Sequence, residues 1–126
     1  LLSQIGDAAY SATKHAAVAF AESLAITHGE QGIHVSVVCP QAVATQMIGI
    51  ADDSDSLEGG FGGNDVDGIL RPEDVADRII EGIEEKRFLI LPHPQVATYV
   101  QRKANDHGRW IAGMQRFQRK LSRQGD

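Results

Sequence analysis

"AAYSATKHAAVAF", residues 8–20, sets a phenol, Tyr10, and an ammonium, Lys14, four residues apart in a run made mostly of alanine. On an α-helix, residues i and i+4 lie one above the other on the same face, so a helical reading makes these two side chains neighbours. Asp7 is a suitable N-cap, and the spacing predicts a helix from about Ala8 to His28, ended by Gly29 or Gly32. Ala8, Ala9, Ala12, Ala16, Ala17 and Ala19 keep that helix thin. A thin helix lets neighbours approach closely, so burial on more than one side is expected. Helix propensity alone accounts for the alanines. It does not account for Tyr10 or Lys14.

"GIHVSVVCP", residues 32–40, comes next. Ile33 to Cys39 is dense in β-branched residues and apolar on both faces, which predicts a buried parallel strand. A helix leading directly into such a strand is half of a βαβ unit. Residues 48–70, "IGIADDSDSLEGGFGGNDVDGIL", lack periodicity and read as a long mobile loop, of a length that marks a functional lid or disorder. A second helix starts at Pro72, with Glu73 and Asp74 in its first turn and Lys86-Arg87 closing it, in the sense the macrodipole favours. Val75, Ile79 and Ile83 mark its buried stripe. "FLILP", residues 88–92, predicts another short buried strand. Over residues 95–123, Trp110, Met114, Phe117 and Leu121 recur at helical spacing among Arg and Lys, predicting an amphipathic helix with a basic outer face. The alternation of helix and strand makes the chain α/β.

A chain of 126 residues with 42% apolar and 23% charged residues suits one soluble domain with a modest core. A net charge of −5 argues against nucleic-acid binding by the chain as a whole. The single cysteine, Cys39, leaves no internal disulfide framework and fits a reducing, cytoplasmic setting. No apolar stretch reaches transmembrane length.

Lys14 beside Tyr10 favours the phenolate. A free tyrosine titrates near pH ~10, too high for efficient proton exchange at neutral pH, and an adjacent ammonium lowers that value toward the working range. Such a pair can protonate a developing alkoxide or deprotonate an alcohol. The wording "YSATKHA", the small-residue helix and "VSVVCPQAVATQM" (residues 35–47) after a strand together resemble the short-chain dehydrogenase/reductase family. That resemblance implies the C-terminal part of a Rossmann-type doubly wound parallel sheet, about two strands with three to four helices, as a single partial domain over residues 1–126. It implies NAD or NADP as cofactor and a small carbonyl/alcohol pair as substrate.

By the same resemblance Tyr10 is the catalytic acid/base. Lys14 lowers its pKa and binds the nicotinamide ribose. Pro40, Gln41, Val43 and Thr45 line the nicotinamide, although Gln41 stands where the family usually has glycine. Residues 48–70 match the family's substrate loop. The family's Gly-rich phosphate turn and catalytic serine would precede Leu1, so these 126 residues alone are expected to bind no cofactor. A homo-oligomer through the Ala-rich helix is expected. The alternative reading is a catalytically inactive relative that serves as a dimerisation or regulatory module.

Other motifs weigh less. Ser11-Ala12-Thr13-Lys14 has the Ser-x-x-Lys form of a penicillin-binding nucleophile, without the companion elements such enzymes need. "GGFGGNDVDG" is one imperfect copy of a calcium-binding repeat, and a solvated loop explains it better than a metal site. His15, His28, His34, His93 and His107 show no paired-ligand spacing, and each reads as structural or exposed.

Overall fold

The computed structural model describes residues 1–41, 43 and 69–124. Within them the order is α1 (Ala8–His28), a 3-10 turn (Gly29–Gln31), β1 (Val37–Val38), α2 (Pro72–Glu84), β2 (Leu89–Ile90), α3 (Gln95–Asn105) and α4 (His107–Gln124). The two strands pair in parallel, Val37 with Leu89 and Val38 with Ile90. This is an α/β arrangement consistent with part of a Rossmann-type fold, with strand and helix numbers as the sequence implies.

The expected strand over Ile33–Cys39 is regular only at Val37–Val38, because its partner is equally short. The ladder runs from the N–H of Val37 onto the Phe88 carbonyl (2.7 Å) to the N–H of Cys39 onto the Ile90 carbonyl (3.0 Å). Ile33 and His34, ahead of it, are exposed. Val43 and Leu70 form an isolated parallel bridge. Ile69 is buried, so the last two residues of the expected 48–70 loop are pinned to the core. Residues 48–68 of that loop lie outside the described residues.

The core is small and centres on β2. Ile90, Pro92 and His93 are its most completely buried side chains, with Ile69, Val75 and Val96 around them. Helix α2 lies against β2 through Gly82, which is buried there. Of the expected stripe Val75 is buried and Ile79 half-buried, but Ile83 is exposed and Gly82 takes its place against the sheet.

Nor do Lys86 and Arg87 belong to the last turn of α2. Lys86 sits beyond it at φ 56°, in the left-handed region. Its N–H bonds to the Ile83 carbonyl and that of Arg87 to the Gly82 carbonyl (2.9 Å), the double closure of a Schellman motif. Arg87 then ion-pairs with Glu85 (2.6 Å).

The 95–123 region is two helices rather than one. Asp106 interrupts it in an extended conformation and caps α4, its Oδ1 accepting from the Arg109 N–H (2.9 Å). The expectation that α1 is buried on several sides fails within the described residues. Its only buried residue is Ser11, all six of the alanines at 8, 9, 12, 16, 17 and 19 are exposed, and Phe20 and Ile26 are 65% and 82% exposed. Among the described residues, no helix is long and apolar enough to cross a membrane.

Candidate functional site

Helix α1 begins where the sequence predicts. The Asp7 carboxylate accepts from the backbone N–H of Tyr10 (2.8 Å), satisfying one of the donors a helix start leaves open. That bond fixes Tyr10 in the first turn. The leading segment folds back on the next residue: the N–H of Gln4 donates to the buried Ser11 hydroxyl (2.8 Å). One turn further on, Nδ1–H of His15 donates to the Ser11 carbonyl (2.7 Å). Ser11 thus joins the first helical turn to the chain before it, a structural task far from the nucleophile role its Ser-x-x-Lys spacing raises.

Tyr10 projects on another face and is 44% exposed. The Lys14 ammonium lies over its ring, 5.1 Å from the centroid. A cation over an aromatic face is held by the ring quadrupole. The i, i+4 step therefore does bring the two groups together, and both reach solvent.

An open groove of about 760 Å³ lies beside this turn, lined by Ser3, Gln4, Asp7, Ser11 and His15 of the N-terminal region and by Lys103 of α3. Lys103 anchors the leading segment by donating to the Leu1 carbonyl (2.9 Å). Tyr10 does not line this groove.

Pro40 and Gln41 follow the C-terminal end of β1 after Cys39, and Val43 forms the bridge to Leu70. Thr45 lies outside the described residues. Among those residues, no hydrogen bond or ion pair links Tyr10 or Lys14 to the segment from Pro40 to Val43. What does reach that segment is His93, one of the most buried side chains, whose Nδ1 accepts from the Gln41 N–H (3.1 Å). Of the two readings the sequence leaves open for His93, structural or exposed, the structure shows the buried, structural one. Its signal was a histidine set between two prolines just past an apolar strand, at the carboxyl end where open α/β sheets place their ligands. Cys39, the last residue before Pro40, is half-buried, and burial pushes its thiol up from the ordinary range. Among the described residues, no three His, Cys, Asp or Glu side chains cluster as metal ligands.

Residues 1–55, which hold α1 and β1, match the short chain dehydrogenase family. A 1-deoxy-11-beta-hydroxypentalenate dehydrogenase from Streptomyces exfoliatus is 32% identical over 107 residues, which take in 85% of this chain and 36% of that protein. Both matches support membership of the short-chain dehydrogenase family. The chain spans about a third of the length of that curated relative. No solved structure matches it at the same stringency. The family match takes in Tyr10, Lys14, Pro40, Gln41, Val43 and Thr45, and ends short of α2, β2 and His93.

Proposed function

We propose that the protein is a nicotinamide-dependent oxidoreductase that interconverts a carbonyl and an alcohol, with Tyr10 as its acid/base. The observation that carries this reading is the ammonium of Lys14 held over the Tyr10 ring at the exposed start of α1, in a chain of short-chain dehydrogenase sequence. NAD or NADP, when bound, supplies or accepts the hydride. The donor set suits such a partner: a lysine with three N–H donors for ribose hydroxyls stands one turn from a phenol that both donates and accepts.

In the reducing direction the Tyr10 hydroxyl donates its proton to the carbonyl oxygen as negative charge develops there, and in the oxidising direction the phenolate takes the alcohol proton. Lys14 is the positive charge held over the Tyr10 ring, present before the reaction begins. Pro40, Gln41, Val43 and Thr45 form the wall against the nicotinamide. The substrate is a small carbonyl or alcohol compound. The single cysteine supports a reducing, cytoplasmic setting.

The test is Tyr10→Phe in the full-length protein. Removing the hydroxyl lowers turnover by about 100- to 10,000-fold, the usual worth of a positioned proton donor, and leaves cofactor affinity nearly unchanged. A Phe variant with normal turnover refutes the reading.

A second reading has its own observation. The exposed alanine face of α1, continued by Phe20 and Ile26, is a surface of the kind that packs against another protein. It supports a homo-oligomer built through α1, and in its strong form an inactive relative that works only as a dimerisation or regulatory module. Turnover lost with Tyr10→Phe excludes the strong form; a full-length wild type without turnover or cofactor binding favours it.

A further inference from the structure

We propose that His93 is the positioning residue for the turn after β1: its Nδ1 holds the main chain of Gln41, and through it the wall that Pro40 and Gln41 present to the cofactor. The proposal rests on the oxidoreductase reading above and adds to it a residue from outside the region that carries the family match.

Three observations support it. The imidazole is 2% exposed and accepts from the Gln41 N–H at 3.1 Å, so the bond is made away from water, where it is stronger and its loss costlier. An Nδ1 that accepts leaves the ring proton on Nε2, so a neutral imidazole does the holding. His93 is itself rigidly mounted: Pro92 and Pro94 flank it and fix their own φ angles, and its carbonyl receives the N–H of Val96 (3.1 Å), whose buried side chain seats the start of α3.

The position also has a reason. Pro40 has no N–H, so the Gln41 N–H is the first backbone donor after Cys39 by which an outside group can hold the turn. His93 does so from the end of the neighbouring parallel strand. The two segments leave their strands side by side at the carboxyl edge of the sheet, where ligands of open α/β sheets bind. With its backbone N–H engaged by the imidazole, the Gln41 main chain offers no donor to a ligand. It serves as backbone scaffold.

The experiment compares His93→Leu, which removes the acceptor, with His93→Asn, which keeps one, in the full-length protein. Amide hydrogen exchange reads the Gln41 N–H, and steady-state kinetics read KM for NAD(H) or NADP(H) against kcat. The expected result is faster Gln41 exchange and a KM for the nicotinamide cofactor raised about 5- to 10-fold in His93→Leu, the worth of one hydrogen bond. In that variant kcat changes far less, and His93→Asn recovers both readouts. A His93→Leu protein with wild-type cofactor KM overturns the proposal, as does a fall in kcat without a change in KM.

Should His93→Leu fail to fold, the wild type decides. Slow Gln41 exchange with His93 as the Nε2–H tautomer by nitrogen NMR supports the proposal, and exchange at the rate of an unfolded chain overturns it. A wild type that binds neither cofactor refutes the oxidoreductase reading itself, and the inference falls with it. A wild type that binds cofactor while His93→Leu binds it equally well refutes the inference alone.

Discussion

Gly82 of α2 lies directly against Ile90 of β2: a Cβ placed on the glycine would stand 2.6 Å from both Cδ1 and Cγ1 of the isoleucine. Ile90 is 1% exposed, so it has little room to move aside. Helix and sheet are therefore as close as a hydrogen side chain allows. Gly82→Ala should lower stability by about 1–3 kcal/mol, the usual cost of overpacking a filled core, despite alanine's better helix propensity. The midpoint of chemical denaturation checks this, and Gly82→Ala with Ile90→Val should recover part of the loss.

Asp7 sets the start of α1 through its bond to the Tyr10 N–H. Asp7→Ala should cost about 1 kcal/mol of stability, and Asp7→Asn, which keeps the acceptor, much less. Thermal unfolding of the three proteins side by side gives the comparison. Equal stability of Asp7→Ala and wild type would show that the cap contributes nothing.

Lys86 holds a left-handed backbone conformation (φ 56°) after α2, where glycine is the usual residue. Lys86→Gly should stabilise the protein by about 1 kcal/mol, since the Cβ strain removed exceeds the chain entropy added. Lys86→Val should destabilise it. Denaturant titration of both variants tests the sign, and the opposite order would refute it.

Lys14 is the cation of the proposed site. Lys14→Met keeps the side chain's length and removes its charge, and should lower turnover of the full-length protein by about 100-fold. It should also raise the KM for the cofactor, whereas Tyr10→Phe lowers turnover with KM nearly constant. Steady-state kinetics of the two variants separate the roles, and an identical pattern in both would contradict the division.

Burial raises the Cys39 thiol above its ordinary range. The folded protein thus holds on to a proton that the unfolded chain releases at lower pH. The corresponding stability is fully present below the ordinary thiol range and is lost as pH climbs through the raised folded value. Alkylation of native Cys39 should accordingly be slower at neutral pH than that of a free thiol, and should accelerate only at higher pH than it does for the unfolded chain. Rates of alkylation against pH, native and denatured, check the ordering.

The sequence by itself determined the local elements and the wording of the site. Asp7 as a cap, Gly32 as a left-handed stop (φ 79°), Pro72 at a helix start and the apolar runs on either side of the β1–β2 pair act over a few residues. Propensity, capping and backbone sterics are local forces, so these features could be read directly. The i, i+4 meeting of Tyr10 and Lys14 is of the same kind, because helix geometry alone creates it.

Only the tertiary structure decided what faces what. That Gly82 rather than Ile83 is the contact of α2, that the basic C-terminal region breaks at Asp106, and that α1 presents its alanines outward depend on neighbours distant in sequence. His93 shows the limit most directly. Fifty-two residues separate it from Gln41, and nothing in the periodicity of either segment points to the other. The parallel register of β1 and β2 brings their following turns together, and a buried acceptor then finds its donor because leaving either unpaired away from water is costly.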